Sequence, residues 1–213
     1  MEHGDAEGQT VTGLFVVFEG GDGSGKTTQV GLLCDWLAGQ GRAFLRTYEP
    51  GDSVAGQQIR SIVLSPSTGD LAPKAEALLY AADKAHHLSA VVRPALERGE
   101  VVVCDRYVDS MLAYQGGGRD LDPTELEQLA RWATDDLRPD LTVLLDGEPS
   151  ELVGGMADKD RIEAAGDSFH LAARDRFRAL AARDPEHYLV LAARDERDAI
   201  AAAVRERVAT LLV

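Results

Sequence analysis

Gly20-Gly21-Asp22-Gly23-Ser24-Gly25-Lys26-Thr27 places a lysine and a hydroxyl at the end of a glycine-rich octet. The spacing is G-x-x-x-x-G-K-[ST], met by Gly20, Gly25, Lys26 and Thr27. Glycines let the backbone curl so that its N–H groups converge on phosphate oxygens. A helix starting there adds partial positive charge. Lys26 is placed to reach the β- and γ-phosphates, and the Thr27 hydroxyl to bind Mg²⁺. The candidate nucleotide-binding set is therefore Gly20, Gly21, Asp22, Gly23, Ser24, Gly25, Lys26, Thr27 and Thr28. Further on, Asp105 ends the apolar run Val101-Val102-Val103-Cys104, and Arg106 follows. An acid at such a strand end holds Mg²⁺ with Thr27, and the planar donor fork of arginine suits a phosphate. The chemistry these residues could do is phosphoryl transfer.

Such residues need a scaffold that brings distant loops together. Leu14 to Phe18 is a continuous apolar run, the pattern of a strand buried on both faces, and the glycine loop follows it directly. Val30, Leu33, Cys34 and Leu37 recur at helical spacing after the loop, and Gly39 and Gly41 stop that helix. Further strands are expected at 43–48, 101–104, 141–145 and 188–192. Helices are expected at 73–92, where Pro94 should prevent continuation, and from the Asp122-Pro123-Thr124-Glu125 start. Another carries Phe169, Ala173, Phe177 and Leu180 on one stripe, and a last one spans 195–212. Alternating strands and helices predict an α/β fold with a parallel sheet covered on both faces. Residues 51–56, 115–119 and 147–160 are expected to be mobile. One domain at 13–213 is expected after a flexible, polar extension at 1–12.

The 213 residues carry a net charge of −14, which argues against a nucleic-acid partner. No apolar run approaches the ~20 residues of a membrane span. The extension lacks the basic start and apolar centre of a signal peptide, so a cytoplasmic location is expected. Cys34 and Cys104 have no metal or redox spacing and read as buried apolar residues. A GTP switch is disfavoured: no D-x-x-G follows the glycine loop and no N/T-K-x-D occurs.

Taken in order, Phe18-Glu19-Gly20 through Gln29, Glu49-Pro50-Gly51, Asp105-Arg106-Tyr107, Ala113 to Arg119, Arg138-Pro139-Asp140-Leu141-Thr142 and Asp160-Arg161-Ile162-Glu163 resemble bacterial thymidylate kinases. The resemblance runs from about Leu14 to the C-terminus. It implies a P-loop NTPase fold with a five-stranded parallel core flanked by helices, a short mobile lid and a homodimer. It implies Mg²⁺-dependent transfer of the ATP γ-phosphoryl group to dTMP, giving dTDP and ADP. On this likeness Lys26, Arg106, Asp22 and Arg161 are the catalytic candidates, and Thr27 and Asp105 the metal ligands. Asp22, Glu49, Tyr80, Lys84, Arg106, Ser110, Tyr114 and Gln115 would bind the acceptor, with Tyr80 in the place of a thymine-stacking aromatic.

The sequence departs from the family pattern at functional places. Tyr48 replaces an arginine, Asp52-Ser53 replaces Gly-Thr, Lys84 replaces a base-reading arginine, and Met111 replaces a polar residue. Expected lid arginines fall at Gly154 and Gly155, leaving Lys159 and Arg161 as nearby cations. An arginine at the transition state contributes ~10³–10⁵ in rate. Two alternatives follow: a kinase for another or modified pyrimidine monophosphate, or a nucleotide-binding paralogue with little turnover.

Overall fold

The computed structural model describes residues 13–152 and 160–212. The expected extension at 1–12, and the lid positions Gly154, Gly155 and Lys159, lie outside the described residues. In chain order the elements are β1 (Leu14–Gly20), α1 (Lys26–Gly39), β2 (Phe44–Tyr48), α2 (Val54–Leu64), α3 (Pro73–His87) and α4 (Arg93–Glu97). Then come β3 (Val101–Asp105), α5 (Val108–Met111), α6 (Pro123–Thr134), β4 (Leu141–Asp146), α7 (Pro149–Leu152), α8 (Asp167–Arg183), β5 (Tyr188–Ala192) and α9 (Arg197–Ala209). The five strands form one parallel sheet in the order β2-β3-β1-β4-β5.

The apolar strands are buried on both faces, as their sequences require. Phe15, Val17, Val102 and Cys104 face a core completed by Ala77 and Ala81 of α3 and Leu126 and Ala130 of α6. Val16, Phe18, Val103 and Val143 face the opposite core, with Val30, Leu33 and Leu37 of α1 and Ile200 and Val204 of α9. Each such aliphatic side chain contributes about 1.5–3 kcal/mol by leaving water. Cys34 and Cys104 are free and buried. Among the described residues no helix is long and apolar enough to cross a membrane.

Four expectations are corrected. Residues 51–56, expected to be mobile, lead instead into a helix: Ser53 caps α2, its hydroxyl accepting from Gly56 N at 2.9 Å. Asp52-Ser53 thus starts a helix that the sequence reading missed. Pro94 does not end the long helical segment. A π turn at Leu88–Val92 widens the spiral, Arg93 N–H donating to Leu88 O, and the helix runs on through Pro94 as α4. Residues 115–119 are packed: Leu112–Gly118 is a second π turn, and Gln115 is buried. A Cβ at Gly118 would stand 2.2 Å from the Phe169 ring, so α8 can approach only because this residue has no side chain. Within 147–160, α7 is formed and the Leu152 side chain rests against Gly21 and Gly147.

Candidate active site

The strand order sets the site. The connection after β1 leads to one edge of the sheet and the connection after β3 leads back across it, so the loops leaving these neighbours open a crevice at their carboxyl ends. Register places Phe18 opposite Asp105 and Tyr48 opposite Asp105. The glycine loop, the Asp105–Arg106 turn and Glu49 therefore meet at one end of the sheet.

In the loop, Gly25 precedes α1 at φ 89°, a left-handed conformation that glycine adopts without a steric penalty. Lys26 begins the helix and folds back over the loop. Its Nζ donates to Gly20 O at 3.0 Å, Gly21 O at 2.7 Å and Ser24 Oγ at 3.3 Å. Burial, with the nearby Arg106 charge, pulls the Lys26 ammonium down to about 8. Thr27 Oγ1 donates to Asp105 Oδ2 at 2.7 Å. That pairing joins two hard oxygen donors at the loop, which fits Mg²⁺.

Arg106 is a non-glycine residue at φ 70°. Such strain persists only where the surroundings over-determine it. Here the backbone is fixed by Arg106 N–H donating to Phe18 O at 2.9 Å, and by Glu19. The Glu19 carboxyl accepts from Tyr107 N at 2.8 Å, Ser110 N at 3.1 Å and Ser110 Oγ at 2.6 Å. Burial pushes this carboxyl above its ordinary value despite those donors. Glu19 ties the loop strand to the Asp105–Arg106 turn. Sequence reasoning passed over it, and its signal, a charged residue inside an apolar strand, was available.

The Arg106 side chain spans the site. Nη1 donates to Gly20 O and Ser110 Oγ, both at 3.1 Å, and lies 3.5 Å from Tyr114 Oη. Nη2 donates to Asp22 Oδ1. Burial pushes the Asp22 carboxyl up, but the Arg106 and Lys26 charges outweigh it and hold it below its ordinary value.

Two cavities meet at this residue. A cleft of about 490 Å³ is lined by Gly23, Gly25, Lys26, Thr27, Thr28 and Asp105 together with Asp22, Glu49, Arg60 and Arg106. A narrower cavity of about 150 Å³ is lined by Tyr80, Lys84, Ser110, Met111, Tyr114 and Gln115 together with the same Asp22, Glu49, Arg60 and Arg106. All the acceptor residues expected from the sequence converge here. Arg60 was missed. It sits on α2, donates to Pro50 O at 2.8 Å and lies over the Tyr48 ring at 5.8 Å. The sequence pattern assigns no element to the part of α2 that carries it.

Two expected cations are engaged within the chain. Lys84 Nζ donates to Glu49 Oε2 at 2.5 Å, with both side chains buried. Burial acts against both charges, yet each partner stabilises the other: Glu49 is held below its ordinary value and Lys84 above. Glu49 also meets His87 Nδ1 at 2.8 Å, and His87 Nε2 meets Thr47 Oγ1 at 2.6 Å. Thr47 in turn donates to Asp52 at 2.6 Å, so the Asp52 charge points into this chain of bonds. Arg161, a catalytic candidate, lines neither cavity. Its guanidinium is placed on Glu76, with Nε donating to Val63 O at 3.0 Å.

The arrangement can hold a nucleotide triphosphate in the wide cleft and a second phosphate-bearing ligand in the narrow cavity, with Arg106 between them. Comparison with known proteins agrees with it. The thymidylate kinase family model matches residues 18–204. The thymidylate kinase of Cutibacterium acnes is 61% identical over 200 residues, covering 94% of this chain and 98% of the relative. That of Clavibacter sepedonicus is 52% identical over 206 residues, covering 95% and 97%. The crystal structure of thymidylate kinase from Ehrlichia chaffeensis superposes with a TM-score of 0.77 at 27% identity, covering 92% of this chain and 98% of that one. Motifs, crevice geometry and relatives matched over nearly their whole length lead to one assignment: the chain belongs to the thymidylate kinase family.

Proposed function

We infer that this protein transfers the γ-phosphoryl group of ATP to dTMP, giving dTDP and ADP, with Mg²⁺ required. The observation that carries the inference is the common wall of Asp22, Glu49, Arg60 and Arg106 between the two cavities. A phosphate in the narrow cavity and a triphosphate in the wide cleft would face each other across it.

Phosphoryl transfer needs positioning and charge neutralisation more than covalent chemistry. An oxygen of the acceptor phosphate bonds to the γ-phosphorus as the bridging bond to the β-phosphate breaks. Lys26 exchanges its carbonyl partners for phosphate oxygens. Arg106 and Arg60 hold the acceptor phosphate, and Asp22 fixes the Arg106 fork. Thr27 and Asp105 would hold Mg²⁺, which neutralises phosphate charge when bound. Tyr80 provides a ring for the base, and Gln115 a hydrogen-bonding edge. The relatives named for thymidylate support dTMP over another pyrimidine monophosphate.

We further propose that the chain acts as a homodimer in the cytoplasm. Leu78 of α3, 58% exposed beside the half-buried Leu121 and Leu129 in a shallow pocket flanked by Lys74 and Glu125, supports the dimer. Sedimentation of the L78D variant tests that part, with a monomer expected. For the activity, ADP release is followed with dTMP, dUMP and dCMP as acceptors. Turnover led by dTMP is expected. ATP binding without dTMP-dependent ADP release at high enzyme concentration would refute the assignment.

A further inference from the structure

The structure contains a further buried carboxylate, Glu76, one of whose partners, Gln115, lines the acceptor cavity. Glu76 lies on α3, one turn before Tyr80, and is fully buried. Its Oε1 accepts from Gln115 Nε2 at 2.9 Å and Arg119 Nε at 3.1 Å. Its Oε2 accepts from Arg119 Nη2 at 3.2 Å and from Arg161 Nη2. Burial pushes this carboxyl up, but the donated bonds of Arg119, Gln115 and Arg161 outweigh it and keep it ionised.

An ionised carboxylate can only accept. Facing Gln115, it admits the NH₂ end of the side-chain amide and excludes the oxygen end. Among the described residues Gln115 Oε1 receives no hydrogen bond, and it is not sealed away as a buried unpaired atom. Gln115 itself lines the acceptor cavity. We propose that Glu76 is a specificity-determining positioning residue: it fixes the Gln115 amide so that an acceptor, never a donor, faces the base. The inference rests on the reading of the narrow cavity as a pyrimidine monophosphate site.

The chemistry that such an edge selects is defined. Thymine and uracil carry N3–H, a donor, and pair with Oε1. Cytosine presents an unprotonated N3, so two acceptors would meet. A site whose polar group is left facing the wrong partner loses roughly tenfold to a hundredfold or more. Arg119 and Arg161 have a separate part. They hold the carboxylate from its other sides, Arg119 stacking also on the Phe169 ring at 4.8 Å, so the carboxylate is clamped in place.

The test is the ratio of kcat/KM for dTMP to that for dCMP. Glu76→Gln replaces the acceptor-only group with an amide that can donate, freeing Gln115 to turn over. The ratio is expected to fall at least tenfold, through the KM values for the acceptors, with the KM for ATP unchanged. Glu76→Asp, still acceptor-only, should retain most of the ratio. Gln115→Met removes the reader without charge or large volume change, and should lower the ratio as far as E76Q does. The double variant should fall no further. A folded E76Q protein with the wild-type ratio would overturn the proposal. So would an unchanged ratio in Q115M, which decides the matter even if E76Q fails to fold. Calorimetric binding of dTMP and dCMP is measured alongside. The orientation is thereby read independently of turnover, and a wild-type chain without dTMP turnover counts against the activity instead.

Discussion

Replacing Arg106 by lysine tests the site while leaving the backbone problem unchanged, since lysine at φ 70° bears the same penalty as arginine. The two side chains differ in geometry. The guanidinium reaches Gly20 O and Ser110 Oγ through Nη1 and Asp22 through Nη2, while it faces the cavity wall. One ammonium cannot occupy both ends of that fork. A hydrogen bond involving a charged group contributes about 1.5–3 kcal/mol. Loss of two at the low end, about 3 kcal/mol, corresponds to about a hundredfold at 1.4 kcal/mol per decade. R106K should therefore lower kcat/KM for dTMP about a hundredfold, with the KM for ATP changed little, because Lys26 and the loop amides hold the triphosphate. Steady-state ADP release with each substrate varied in turn measures this, and a thermal melt confirms the fold. Equal losses for both substrates, or near-native dTMP kinetics, would refute the division of labour between the two cavities.

Other outcomes follow from the same geometry. Lys26 is held near 8 in the free protein, and phosphate charge must raise it. ATP binding at pH 8 should take up a fraction of a proton, and affinity should fall as pH rises through that value. Calorimetry in buffers of different ionisation enthalpy reads both. Burial, with the Glu19 charge, pushes Asp109 up to about 7. Between about 3.8 and 7 the folded chain keeps a proton that the unfolded chain has lost, so this residue makes stability fall as pH rises through that window. Asp109→Asn, which still accepts from the Tyr188 hydroxyl, should flatten that decline, with a melting gain at pH 8 that shrinks toward pH 5. Gly118→Ala forces a Cβ onto Phe169 and should cost about 1–3 kcal/mol in urea unfolding.

The parts of the site legible in the sequence were those whose meaning is local. The glycine loop declares itself within eight residues, and Asp105–Arg106 declares itself by following a buried strand. The positions of the five strands and of α1, α6, α8 and α9 also followed from apolar pattern and helix-start residues, while the order of the strands in the sheet did not. What escaped depends on distance. Glu19 acts on Tyr107, 88 positions away, and Glu76 on Gln115 and Arg161, 39 and 85 positions away. A lone acid gives no hint of such partners until the fold supplies them. The α2 helix was hidden because Gly51-Asp52-Ser53 has turn chemistry, and only the Ser53–Gly56 bond shows that the turn is a cap. The two π turns were illegible for a related reason. Widening a helix by one residue leaves its composition unchanged.

The contact between Gly118 and Phe169 also constrains how this sequence can drift. The two positions lie on different elements, yet only one of them holds a side chain where they meet. Residue 118 cannot gain a methyl group before residue 169 gives up its ring, and a smaller residue at 169 alone leaves a hole. Any lineage that changes this seam must pass through a less stable intermediate, in a preferred order. The pair should accordingly be inherited together, and chimeras that join the 112–118 turn of one relative to the α8 of another will reveal the incompatibility before any substrate is added.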